Sequence, residues 1–253
     1  MIGPFTALWY VFLAITIGLI VLATVVYRKK ERKEKLKFLE ICGIGLFIYW
    51  LLYKVWLATA KDFEFVFWNE LPLHLCNLSM PLAIIGARTD NRICQSICFF
   101  QVPIGAVLAL IFPSEGFEMA RFFTPQGLGY YGTHFLILAL GIIIVTTGIL
   151  KPEIKDVFTS CIALFGISVV VFGINLLMRA TVYPEANYLY SFGLPGNFAA
   201  DMAYSLLPVP LLWELPMFVV MIPVNCIQLL LTKINFAKLF SNKDSMGEER
   251  SKT

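Results

Sequence analysis

"FTALWYVFLAITIGLIVLATVVYRKKERKEKLK", residues 5–37, joins an apolar run without a single charge to a stretch holding seven lysines and arginines. As a helix, Phe5–Tyr27 is long enough to cross about 30 Å of hydrocarbon. Helix is the form such a segment must take there, because lipid offers the backbone no hydrogen-bond partner. No basic region precedes the run, and it is too long for a signal-peptide core, so it reads as a retained span.

The rest of the chain repeats this pattern. Of 253 residues, 58% are hydrophobic and 15% charged, whereas soluble domains run at about 45–50% and about 25%. Seven apolar stretches can be marked, at 5–27, 38–58, 71–87, 93–113, 130–150, 157–177 and 206–231. The expected fold is an all-α, polytopic bundle of seven transmembrane helices, a single membrane domain over residues 1–240. A polar tail at 241–253 is expected to be disordered and cytoplasmic. The third stretch is the shortest. The last carries Pro208, Pro210, Pro216 and Pro223, so its upper part is expected to be irregular. There is no internal repeat of the kind that builds many transporters.

Lysine and arginine set the orientation. Sixteen fall in alternate loops and the C-terminal tail, three (Lys61, Arg121, Arg179) on the opposite side, and Lys54 lies inside a span. The N-terminus is therefore expected outside and the C-terminus inside, with the chain in a plasma membrane of bacterial type. Nothing in the composition suggests a nucleic-acid partner. The six cysteines lie in or beside apolar runs, which is not the pattern of a disulfide framework. Cys94 and Cys98 share a helix face but have no histidine or carboxylate beside them, so no metal site and no cofactor is expected.

Polar groups inside the spans are the candidates for function, because burying them in lipid is costly. They are Lys54, His74, Cys76 and Asn77, His134, and Glu214. Counted from the outer border, Cys76 lies five residues into the third span and His134 four into the fifth. At 1.5 Å per residue both sit about 6–8 Å deep, in the outer leaflet. If the third span is helical from residue 71, His74 faces away from Cys76 and shares a side with Glu70 and Asn77. Pro81 removes the helical partner of the Asn77 carbonyl, next to the thiol. A free cysteine is more often a small core residue than a nucleophile, so the pair needs further support.

"ELPLHLCNLS" (70–79), followed by a histidine on a later helix and by "NYLY" (187–190) before a proline-rich last span, resembles the YwaF family of bacterial integral membrane proteins. That family extends to eukaryotic acyltransferase-type transmembrane proteins making ether phospholipids, and more distantly to androgen-induced-gene type lipid hydrolases. The resemblance implies a cysteine nucleophile and a histidine, which fall on Cys76 and His134. The reading that follows is lipid acyl transfer with membrane phospholipid as substrate, through an acyl-cysteine. Asn77 or His74 would stabilise the oxyanion, and Lys54, Glu214 and Asn187 would meet the substrate. Water as acceptor would make the protein a hydrolase. The rival is a transporter or sensor with Lys54, His74, Glu214 and Asn187 lining a polar cavity.

Overall fold

The computed structural model describes residues 1–60, 65–113, 117–193 and 198–234, and the expected tail at 241–253 and Lys61 lie outside them. Nine α-helices are found among the described residues. They are α1 (Ala7–Tyr27), α2 (Arg32–Thr59), α3 (Leu75–Arg88), α4 (Arg92–Phe100), α5 (Val102–Ile111), α6 (Gly132–Thr146), α7 (Ile154–Thr181), α8 (Phe198–Leu206) and α9 (Glu214–Lys233). The β-type contact among these residues is one bridge, Ile2 to Ala120.

Among the described residues, six segments are long and apolar enough to cross a membrane: α1, α2, α4 with α5, the 125–146 segment ending in α6, α7, and α9. The third expected span is not among them. Its helix begins at Leu75, four residues later than the apolar stretch, and has 14 residues, about 21 Å of rise. The reason is Pro72, whose ring pushes the preceding residue out of the helical region, and Leu71 is accordingly extended at ψ 144°.

Three other boundaries differ from the sequence reading. The fourth stretch breaks between α4 and α5 at Gln101, where Pro103 lacks an N–H. The fifth opens with a wide π turn, Pro125–Tyr131, before α6. The seventh is non-helical from 207 to 213, around Pro208 and Pro210, and α9 starts at Glu214. The irregular upper part was expected there; the separate helix α8 was not.

Loops at one end of the bundle are tied together by charge. Arg32, opening α2, pairs with Asp90 in the α3–α4 turn and donates to the Ile149 carbonyl at 3.0 Å. Arg88 reaches Glu40 at 2.7 Å. Arg92 holds Asp156 at 2.7 Å and Glu153 at 3.0 Å, at the start of α7. These loops are the ones richest in lysine and arginine. Behind them the bundle is filled by Leu39, Met80, Ala83, Phe100, Ile144 and Val157, all buried.

Small residues let the helices approach at the other end. A Cβ on Gly129 would lie 1.9 Å from the Tyr53 ring of α2, so the π turn packs flush on that helix. Tyr49 adds a hydrogen bond to the Leu128 carbonyl at 2.8 Å. Gly166 on α7, by contrast, has nothing within 4 Å. We expect Gly129→Ala to lower stability by about 1–3 kcal/mol in unfolding of the detergent-solubilised protein, while Gly166→Ala is neutral.

The Arg32 guanidinium hydrogen-bonded to Asp90 holds that carboxyl below its ordinary range. A depressed carboxylate stabilises the fold above its unfolded pKa, and the benefit disappears as pH falls through the folded value. Asp90→Asn is therefore expected to lower Tm at pH 7, with the gap from wild type closing as the pH falls below the ordinary carboxylate range.

Candidate functional site

A cavity of about 1010 Å³ opens between the last turns of α2 and α5, the first turns of α3 and α6, the middle of α7, the 185–190 loop and the start of α9. It lies at the end away from the ion-paired loops. All seven residues singled out from the sequence line it: Lys54, His74, Cys76, Asn77, His134, Asn187 and Glu214. Their local settings differ, and these separate the useful candidates from the braces.

Cys76 is the second residue of α3. The N–H groups of Asn77 and Leu78 both donate to the His74 carbonyl, each at 2.9 Å. Those of Leu75 and Cys76 precede the first helical bond, and the His74 side chain does not cap them. The thiol thus sits at the end of the helix that carries partial positive charge. The carbonyl of Cys76 accepts the Ser79 hydroxyl at 2.5 Å.

His134, the third residue of α6, is fixed by its own helix. Its Nδ1 lies 2.8 Å from the Tyr130 carbonyl. A carbonyl can only accept, so Nδ1 carries the proton and a neutral ring keeps its lone pair on Nε2. The Tyr130 ring packs 4.3 Å from the imidazole, and its hydroxyl donates to the Ala109 carbonyl at 2.9 Å. Helices α3 and α6 pack on each other, which brings the thiol and the imidazole to one cavity.

His74 is not on a helix face with Glu70 and Asn77, as a helix running from residue 71 would require. It is the extended residue before α3, at φ −83° and ψ 153°. Its ring meets Tyr190 at 5.0 Å and Tyr188 at 6.0 Å, and its Nδ1 is buried without a partner. Lys54 is held on the cavity wall. It forms an ion pair with Glu70, both largely buried, and lies 4.7 Å from the Tyr53 ring centre.

Asn187 is occupied by its own loop. Its amide donates to the Gly193 carbonyl and accepts from the Phe192 N–H, both at 2.9 Å. Both ends of its amide are thus tied to the loop that forms this part of the wall. Beside it Asn175, buried in α7, holds Tyr188 by two backbone hydrogen bonds of 2.8 Å. Leu189 and Tyr190 take positive φ, 53° and 59°, so "NYLY" is a held, strained turn on the cavity wall. Glu214, the first residue of α9, is 8% exposed, and its Oε1 has no partner.

Sequence reasoning passed over Gln101, Ser168 and Thr133, which also line the cavity. Gln101 is fully buried within an apolar stretch; counting uncharged amides along with ionisable groups would have found it. Serine and threonine give no such signal, because both commonly bond their own helix, as Thr133 does to the Gly129 carbonyl at 2.5 Å.

Six membrane-length apolar segments among the described residues, with a cavity between them, define a multi-pass membrane protein. The sequence model of the TMEM164 family matches residues 1–233, and the chain belongs to that family. No curated protein and no solved structure matches it.

Proposed function

We propose that the protein is a lipid acyltransferase working in the outer leaflet of a bacterial-type plasma membrane, and that its kinship includes the YwaF-type proteins. The observation that carries this reading is the thiol of Cys76 at a helix N-terminus, in one cavity with an imidazole whose Nε2 is left free to accept a proton.

The chemistry balances without a cofactor. His134 Nε2 takes the Cys76 proton as sulfur attacks the ester carbonyl of a donor phospholipid. The tetrahedral intermediate collapses to an acyl-cysteine, and the imidazolium returns the proton to the departing alcohol. An acceptor hydroxyl then gives its proton to Nε2 and attacks the thioester, and the thiol is regenerated. The Leu75 and Cys76 N–H groups are suited to the oxyanion, since they precede the first helical bond. Asn77 remains a second donor on the same turn. Water in place of the acceptor would give hydrolysis, so released fatty acid against transferred acyl chain separates the two outcomes.

In this reading α3 is a seventh, short crossing, and the ion-paired end faces the cytoplasm. The filled interior behind the cavity, with Leu39, Met80, Phe100 and Ile144 buried, argues against a route through the bundle and so against the transporter. An impermeant thiol reagent on intact cells tests the orientation. A cysteine at Val182 should react and one at Lys33 should be shielded; the reverse would put Cys76 in the other leaflet.

A lipid-tethered iodoacetamide tests the mechanism. It should label Cys76 ahead of the other five cysteines, and His134→Ala should slow that labelling by about 100-fold while the protein stays folded. Labelling spread evenly, or unchanged without His134, returns Cys76 to the status of a small core residue.

A further inference from the structure

The cavity has a second polar wall that the acyl-transfer step does not use. Cys76 and His134 come from α3 and α6, whereas Ser168 and Glu214 come from α7 and α9, which pack on each other. Gln101, at the α4–α5 break, reaches the same face of α7. Its amide donates to the Ser160 Oγ at 3.0 Å, and Ser160, Leu164 and Ser168 follow at four-residue steps along that face. Ser168 and Glu214 both line the cavity there.

This wall is short of donors. Gln101 is fully buried and Glu214 nearly so, and the Oε1 atom of each has no hydrogen-bond partner. Glu214 belongs to no ion pair among the described residues. A buried oxygen without a donor is costly, and buried polar groups in folded proteins are ordinarily matched. Both unmatched atoms are acceptors on cavity-lining residues, so the missing component is a group with an O–H or N–H. An ammonium fits poorly. Glu214 opens α9, whose N-terminus carries partial positive charge, and Lys54 already brings a cation to the cavity. A hydroxyl adds no charge, and it can also accept from the Ser168 side.

We propose that Gln101, Ser168 and Glu214 form a binding subsite for an alcohol hydroxyl, that of the acyl acceptor. The inference rests on the acyl-transfer reading and names the acceptor's chemistry: a glycerol-type hydroxyl, carried by a lysophospholipid or by a monoacylglycerol. The donor ester is handled by the α3–α6 wall and the acceptor hydroxyl by the α7–α9 wall.

Binding is measured on full-length Cys76→Ser protein in phosphatidylcholine nanodiscs, by the fluorescence of the cavity tryptophans Trp50 and Trp213. One pair of probes is a 1-acyl lysophosphatidylcholine and its 2-deoxy counterpart. The other is a 1-monoacylglycerol and the propyl ester of the same fatty acid. The hydroxylated member of at least one pair should bind fivefold or more tightly. A gap in both pairs means that the hydroxyl suffices; a gap in the lysophospholipid pair alone means that it is read beside a phosphate. Ser168→Ala and Glu214→Leu should each shrink the gap to within twofold, and Glu214→Gln, which keeps an acceptor oxygen, should retain it. Ser168→Ala decides the matter if Glu214→Leu does not fold. Equal binding within both pairs, or a gap that neither variant moves, overturns the subsite. Because the nucleophile is absent, the two readings fail separately. A hydroxyl preference without acyl transfer by the wild type sinks the acyltransferase, and transfer without the preference sinks the subsite.

Discussion

A peptide group in hydrocarbon has no solvent to bond with, so a chain in lipid stays helical unless protein or a polar cavity takes over the pairing. Five of the places where the α-helical pattern is interrupted among the described residues lie at the cavity. They are the extended residues before α3, the break at Gln101, the π turn before α6, the 185–190 loop and the segment before α9. Each contributes to the cavity wall, through His74, Gln101, Tyr130, Tyr188 and Trp213 respectively. The interruptions and the cavity are one feature: irregular backbone needs a sheltered polar space, and that space receives the groups that irregular backbone can present.

The two ends of the bundle are built on different physics. At one, arginines cross-link successive loops through Asp90, Glu40 and Asp156, with apolar side chains filling the space behind. At the other, helices begin and end at different heights, held by tyrosine hydroxyls on backbone carbonyls. Tyr49, Tyr130 and Tyr188 each clamp a neighbouring segment this way. A stapled base and a tyrosine-braced rim let the cavity exist without loosening the bundle.

The sequence made most of the helical layout legible because lipid is an exacting solvent: apolar length and the alternation of basic loops are visible one residue at a time. Cys76 and His134 were legible for a related reason. A count of residues from the border put both at similar depth, and both line the cavity, although the count took residues 71–74 as helical and α3 begins only at Leu75. What escaped was local. Pro72 signalled that α3 could not begin at Leu71, and with it that His74 would precede the helix; an apolar window reads straight through such a proline. Asn187 drew attention as a polar residue before the last span, yet its amide is tied to its own loop five and six residues on, a pairing that only the folded loop reveals. Gln101 and Ser168 were hidden because the search followed charge, and the unmatched atoms here include those of a neutral amide.

The π turn at Pro125–Tyr131 has a consequence for how the chain tolerates change in length. A π turn holds about one residue more than an α turn of the same height, and His134 follows three residues after it. Removing one residue there would let the segment tighten to ordinary helix, and the turn itself would absorb the loss, so what lies beyond would keep its facing. The imidazole would stay in the cavity. Losing one residue from a regular helix turns its far part by about 100°; the spare residue of this turn lets the head of the span lose one and still bring the ring and the thiol to one space.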